Sequence, residues 1–191
     1  MDKEHSHMKI KPGPIEGAHV WELPKFHDLR GSLKKAYIAG DSSSFPVPFH
    51  MFEHFFTTSK KNVFRGMHFQ GDPHGVSKVV SIIQGSATDY LLDFRVDSKT
   101  YGNLKIQEMN SANPVSIFIP HGVAHGYISL ENETIMSYMF DGKFCADCDA
   151  GISGKILNEY LPINFSDTIR SEKDMNLMGF DNFKYESRCL E

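Results

Sequence analysis

Between Asn62 and Asp93 the chain reads N-V-F-R-G-M-H-F-Q-G-D-P-H-G-V-S-K-V-V-S-I-I-Q-G-S-A-T-D-Y-L-L-D, and this stretch limits the fold more than any other. It predicts strand, turn, strand, glycine turn, strand. Asn62–Gln70 is mostly apolar, with Arg65 and His68 embedded in it. Gly71-Asp72-Pro73-His74-Gly75 is turn chemistry. Lys78–Gln84 is rich in Val and Ile, which suit a pleated, half-buried surface. Gly85 then turns the chain into Ala87–Phe94, which carries Asp89 and Asp93. Three basic groups, Arg65, His68 and Lys78, thus ride on strands that otherwise fill a core. A buried cation is costly unless an anion meets it. The simplest arrangement that satisfies all three is a β-lined cavity that takes an anionic ligand.

The flanking sequence continues the pattern. Strands are expected over Val20–Phe26 (broken by Pro24), Ser32–Ala39, Phe49–Thr58, Asn103–Met109, Val115–Ile119, Ala124–Leu130 and Glu133–Phe140. Turns separate them at His27–Gly31, Gly40–Pro48, Ser59–Asn62, Arg95–Gly102, Asn110–Pro114 and Pro120–Gly122. Short strands at this spacing argue an all-β sandwich or barrel. A short helical segment is expected over Ser171–Met178, which opens on a serine with acidic residues in its first turn.

With 191 residues and no linker or repeat, the chain suits a single domain over residues 9–191. Residues 1–8 read as a polar leader or expression remnant. The net charge of −4 gives no reason to expect nucleic acid or an anionic membrane as partner. No apolar run reaches the length of a membrane span. Three cysteines are too few and too odd for a disulfide framework, which fits a reducing cytoplasm. Cys145-Ala146-Asp147-Cys148 is a single C-x-x-C: zinc wants two more soft ligands and distant Cys189 is the one remaining thiol, so the segment reads as a loop with two free thiols.

Pro120-His121-Gly122-Val123-Ala124-His125 has the form P-x-G-x-x-H and resembles the second sequence motif of cupins, small jelly rolls. Metal-binding cupins add H-x-H and a carboxylate from a first motif. Here Met67-His68-Phe69-Gln70 offers one His, so no metal is expected. A larger combination is more specific: R-G-M-H-F-Q at 65–70, Lys78, G-x-x-x-D at Gly85–Asp89, S-x-T-Y-G at 98–102 and I-P-H-G-V-A-H-G at 119–126. Together these resemble the dTDP-4-dehydrorhamnose 3,5-epimerase family from about His27 to Asp174. The resemblance implies a cupin-type jelly roll, or double-stranded β-helix. It also implies a homodimer in which an N-terminal strand helps build the neighbour's site.

Carried over by position, His68 resembles the family's general base, Asp174 the carboxylate that orients it and Tyr138 the opposing proton donor. Lys78 and His125 match substrate contacts. Arg65 and Arg30 match residues that meet the diphosphate or sugar, and Lys173 and Asp149 match further contacts. The implied activity is that of an isomerase in deoxysugar and polysaccharide biosynthesis. It inverts C3, C5 or both of a nucleotide-diphosphate 4-keto-6-deoxy sugar through an enolate, with no cofactor. Taken alone, His68 or His125 reads as a hydrogen-bonded core histidine, Tyr138 as a core tyrosine and Asp174 as a surface helix residue. The matching register of His68, His125, Arg65 and Lys78 favours a site.

The sequence departs from the family at the nucleotide end. Glu53-His54-Phe55-Phe56 replaces a polar Q-x-N-like patch, Ser32-Leu33-Lys34-Lys35 replaces aromatics and a Glu, and Ser153-Gly154-Lys155 replaces a W-x-D-like segment. The expectation is retained proton-transfer chemistry with a different base, sugar or number of inverted centres. Two alternatives use the same pocket: a non-catalytic cupin that binds a nucleotide sugar, and a 3,4-ketoisomerase. Binding alone needs cations for the diphosphate but no carboxylate-oriented base.

Overall fold

The computed structural model describes residues 11–12, 14–23, 25–37 and 47–182. Among the described residues, thirteen strands run in chain order as β1 (Lys11–Pro12), β2 (His19–Glu22), β3 (Lys25–Asp28), β4 (Gly31–Lys34), β5 (Glu53–Ser59), β6 (Phe64–Gln70), β7 (Lys78–Gln84), β8 (Ser86–Asp93), β9 (Leu104–Asn110), β10 (Val115–Ile119), β11 (Val123–Ser129), β12 (Thr134–Phe140) and β13 (Asp149–Gly151). They form a six-stranded sheet, β1-β2-β10-β7-β12-β5, and a five-stranded sheet, β13-β6-β11-β8-β9. The short hairpin β3-β4 stands apart from both. Every strand pairing is antiparallel. This is the jelly roll that the sequence implies.

Alternation along each strand decides what faces what. Val80, Ile82, Ile117, Ile119 and Met136 of one sheet meet Ala87, Leu91, Val123 and Tyr127 of the other in the central core. The opposite face of the five-stranded sheet carries Phe64, Met67, Tyr90, Leu92 and Ile128. The chain after β13 covers it with Ile152, Leu157 and Phe165. On the far side of the six-stranded sheet, Trp21, Leu23, Phe49, Val79, Phe118 and Met139 form a third cluster. Both sheets are therefore apolar on two faces. That explains the near-continuous Val and Ile run of β7, whose first five residues are all buried.

The expected strands over 78–84 and 115–119 match the observed bounds, and most others shift by one to four residues at their ends; the strand expected over Ser32–Ala39 is only Gly31–Lys34, with 35–37 in no strand and 38–39 outside the described residues. Val20–Phe26 divides into β2, which ends at Glu22, and β3, which begins at Lys25; Pro24, the expected break, lies outside the described residues. The two-residue β1, the three-residue β13 and the 3-10 turns Gly154–Tyr160 and Phe165–Asp167 carry too little periodicity to read from sequence. The C-terminal helix is shorter than expected, Glu172–Met175. The leader over residues 1–8 and most of the loop over 40–48 lie outside the described residues. Among the described residues, no helix is long and apolar enough to cross a membrane.

Candidate functional site

A cavity of about 370 Å³ lies between the sheets. One wall comes from β6 and β11 of the five-stranded sheet, through Arg65, His68 and His125. The other comes from β5, β7 and β12, through Phe55, Lys78 and Tyr138.

Arg65 and His68 are three apart, so in a regular strand they would face opposite sides. A β-bulge changes this. His125 is registered with His68 and Tyr127 with Arg65, so β6 spends three residues where β11 spends two. The bulge is built on Gly66, whose φ of +125° belongs to glycine territory. A Cβ there would lie 2.6 Å from the Cα of Gly126 and 2.7 Å from the carbonyl oxygen of His125. The close approach of Gly66 to Gly126 thus turns both basic residues into one cavity. Arg65 is held by its Nε donating to Ser59 Oγ at 3.0 Å and a terminal N–H donating to the Thr58 carbonyl at 3.2 Å.

The C-terminal segment delivers Asp174. Ile169 hydrogen-bonds the backbone of Asn62 and Phe64 at 2.9 Å each. Phe165 packs edge-on against Phe64, 5.6 Å between ring centres. Ser171 then caps the short helix α1 (Glu172–Met175): its Oγ accepts the Asp174 N–H at 3.1 Å. Asp174 is 4% exposed and points at β6. Its Oδ1 meets His68 Nε2 at 2.7 Å, and its Oδ2 accepts the Gly66 N–H at 3.3 Å. Burial pushes the Asp174 carboxyl up, but the His68 contacts, with those of Gly66 and Ser171, outweigh it and hold the group below its ordinary range. With Nε2 spent on the carboxylate, Nδ1 is the His68 nitrogen left for the cavity.

A second imidazole–carboxylate pair sits beside the first. His125 Nε2 meets Asp89 Oδ2 at 2.7 Å, and both side chains are buried. Burial, more than any neighbour, lowers the His125 pKa despite Asp89, so His125 is neutral at pH 7. Lys78 is 6% exposed. Desolvation drops its ammonium to about 8, although Asp89 and Asp149 act to raise it. It stays cationic at pH 7 and donates to the His68 carbonyl at 3.0 Å. Tyr138 stacks flat on Phe55, with 5.1 Å between ring centres and 4° between planes. Burial holds its phenol well above 10, with Tyr127 and Asp89 adding to the effect, so the hydroxyl keeps its proton. Lys173 forms an ion pair with Asp149 on the rim.

Eight of the nine expected site residues therefore line one cavity: His68, Tyr138, Asp174, Arg65, Lys78, His125, Asp149 and Lys173. Arg30 does not join them. It lies on the exposed β3-β4 hairpin and pairs with Asp28, with Nη2 2.6 Å from Oδ2. Chemically, the cavity offers a carboxylate-held imidazole, a fixed cation and a protonated phenol, with further cations at the rim.

The family profile of dTDP-4-dehydrorhamnose 3,5-epimerase matches residues 12–182. The chain belongs to the dTDP-4-dehydrorhamnose 3,5-epimerase family. It is 30% identical to the dTDP-4-dehydrorhamnose 3,5-epimerase of Methanothermobacter thermautotrophicus over 85% of this chain and 89% of that protein. It is 29% identical to the Escherichia coli enzyme of the same name over 91% and 95%. The crystal structure of the Bacillus anthracis dTDP-4-dehydrorhamnose 3,5-epimerase, solved with TDP and PPi bound, superimposes with a TM-score of 0.83 at 28% identity, over 90% of this chain and 99% of that one. Asp89, a member of the G-x-x-x-D motif with no role expected from sequence, is a neighbour of the site through its contact with His125. The sequence signal for it is an acidic residue within the mostly apolar strand segment Ala87–Phe94. Glu53 and Phe55 also line the cavity, at the segment that departs from the family pattern.

Proposed function

We propose that this chain is an epimerase of a nucleotide-diphosphate 4-keto-6-deoxy sugar, acting at C3, C5 or both in deoxysugar biosynthesis. The observation that carries the reading is opposition. The carboxylate-held His68 projects from the five-stranded sheet and the Tyr138 hydroxyl group from the facing sheet, with one cavity between them. Inversion needs a proton removed from one face of the ring and returned to the other.

A C–H bond beside the C4 carbonyl is acidic because its electron pair delocalises onto oxygen. His68 Nδ1 takes that proton, and Asp174 stabilises the resulting imidazolium. The Lys78 ammonium meets the enolate oxygen, where negative charge develops in the transition state. Tyr138 gives its proton to the opposite face of the carbon. The imidazolium then loses a proton to solvent and the tyrosinate regains one. His125, Arg65, Lys173 and Asp149 contact the sugar and diphosphate. These steps use side chains alone.

The 2.7 Å pairing of His68 with Asp174 supports catalysis over a purely binding cupin, because recognition of a diphosphate needs cations and no oriented base. Arg30 is assigned to the site of a partner protomer. Its hairpin is solvent-exposed and carries three exposed apolar side chains, Phe26, Leu29 and Leu33, which supports docking on a second copy. Glu53 and Phe55 stand where a polar patch is usual, which supports a changed base, sugar or number of inverted centres. A cytoplasmic setting suits a nucleotide-activated substrate.

The test is solvent exchange. The protein and His68→Ala are incubated with dTDP-4-keto-6-deoxyglucose in deuterium oxide, and incorporated deuterons are counted by mass. Two deuterons, lost in the variant, mean that C3 and C5 are both handled. One means a single-centre epimerase. Silence here and with GDP- and CDP-linked keto sugars overturns the reading in favour of a binder.

A further inference from the structure

The turn between β6 and β7 brings His74 to the loop between β12 and β13, which carries Cys145 and Cys148. His74 Nδ1 lies 3.4 Å from Cys148 Sγ. The ligand atoms of His74, Cys145 and Cys148 all fall within 4.8 Å of one another. Along the chain the C-x-x-C is two ligands short of a zinc site. The fold supplies one of them from 71 residues before Cys145 in the chain. We infer that His74, Cys145 and Cys148 form a binding site for a soft divalent cation, zinc, separate from the imidazoles of the main cavity.

The geometry fits the ion. Tetrahedral zinc with Zn–S of about 2.3 Å and Zn–N of about 2.0–2.1 Å sets its sulfur and nitrogen ligand atoms roughly 3.6 Å apart. The His74–Cys148 separation is already there. Two thiolates and an imidazole select zinc over magnesium or calcium, which prefer oxygen. Cys148 is fully buried, Cys145 half-buried and His74 exposed, so the fourth position opens to solvent and water completes the set. Binding converts two thiols to thiolates and releases two protons.

The surrounding hydrogen bonds hold the two segments in place without the metal. The Gln70 side chain donates to the carbonyls of His74 and Lys143. Its Oε1 accepts the Cys145 N–H at 2.9 Å. The Gly71 N–H donates to the Cys148 carbonyl at 3.0 Å. A metal closing this clip would fix a wall of the main cavity, because Gln70, Phe144 and Asp149 line that cavity and flank the three ligands in sequence.

The test uses cobalt(II) as a spectroscopic stand-in and zinc as competitor, on the reduced full-length protein. The expected result is one cobalt per chain, with thiolate-to-cobalt charge-transfer and tetrahedral ligand-field bands that zinc bleaches. His74→Ala and Cys145→Ser, at exposed and half-buried positions, should weaken binding at least tenfold while the circular dichroism spectrum stays unchanged. Cys189→Ser should bind normally. Absence of thiolate bands at stoichiometric cobalt overturns the site. So do bands that survive Cys145→Ser or vanish in Cys189→Ser. A Cys145–Cys148 disulfide forming in place of metal uptake also overturns it.

Discussion

The Lys78 ammonium on β7 donates to the backbone carbonyl of His68 on β6 across 3.0 Å, so one hydrogen bond ties the buried cation of one sheet to the candidate base on the other. The cation is held in a dry place at a cost. Its folded pKa of about 8 lies below the ordinary 10.5, so the unfolded chain binds the proton more tightly. Below pH 8 the full penalty applies, roughly 3 kcal/mol. It is relieved as pH rises from about 8 to about 10.5, and this group's contribution makes the protein more stable across that window. Lys78→Met should therefore raise the melting temperature at pH 7 and remove that rise. The same variant should lose roughly 10²–10³-fold in kcat. Thermal melts and kinetics across pH 6–10 check both, and activity of the unsubstituted protein should fall above pH 8.

Asp174→Asn keeps the size of the group that faces His68 but removes its charge. Without a carboxylate the imidazolium loses its stabilisation and the tautomer is no longer fixed. The expected loss is roughly 10²–10⁴-fold in kcat with little change in substrate affinity. The stability signature has a sign. The Asp174 pKa is lowered in the fold, so its stabilisation is present at neutral pH and disappears as pH falls through the folded value. Acid titration of unfolding should be shallower in the variant.

Tyr138→Phe separates the two half-reactions. His68 still removes the proton, so deuterium wash-in to recovered substrate should continue. Net inversion should fall roughly 10²–10⁴-fold because nothing delivers a proton to the far face. Mass spectrometry of substrate and product pools reads both. Equal loss of wash-in and inversion would contradict the assigned roles. The fold should tolerate the change, since the Phe55 stacking partner is an aromatic ring in both.

Gly66→Ala tests the bulge. The added Cβ has backbone within 2.7 Å on two sides and a φ of +125° to adopt. Crowding and strain together predict destabilisation of roughly 2–5 kcal/mol by denaturant unfolding. Gly102→Ala is the comparison. It also has a positive φ, +79°, but no atom within 4 Å of the new methyl, so it should cost about 1 kcal/mol.

Arg30→Ala should leave kcat nearly intact and raise KM, because the guanidinium is assigned to a diphosphate rather than to the reacting carbons. The same assignment expects a dimer by sedimentation. A double change of Phe26 and Leu33 to Ser in the same hairpin should weaken that dimer and raise KM together. A monomer with unchanged KM would remove Arg30 from the site.

Much was legible in the sequence because it is a local consequence of side-chain chemistry. The Val and Ile of β7, the Gly and Pro turns and the alternation of β10 to β12 specify strands by packing preference and turn geometry. Arg65, His68 and Lys78 announced a shared cavity because cations on apolar strands need a polar space to face. Other features were not legible, because they depend on distances that no local pattern encodes. An alternation count puts Arg65 and His68 on opposite faces, and the register slip at Gly66 overrules it through a backbone contact with Gly126. Asp89 belongs to a strand of its own until antiparallel pairing of β8 with β11 sets it against His125. Asp174 reaches His68 because Phe165 and Ile169 anchor the tail to the back of β6. The sequence by itself determined the residue types, the strand periods and the chemistry they can perform. The tertiary structure decided which of them meet, because hydrogen-bond register and close packing bring together groups that lie far apart along the chain.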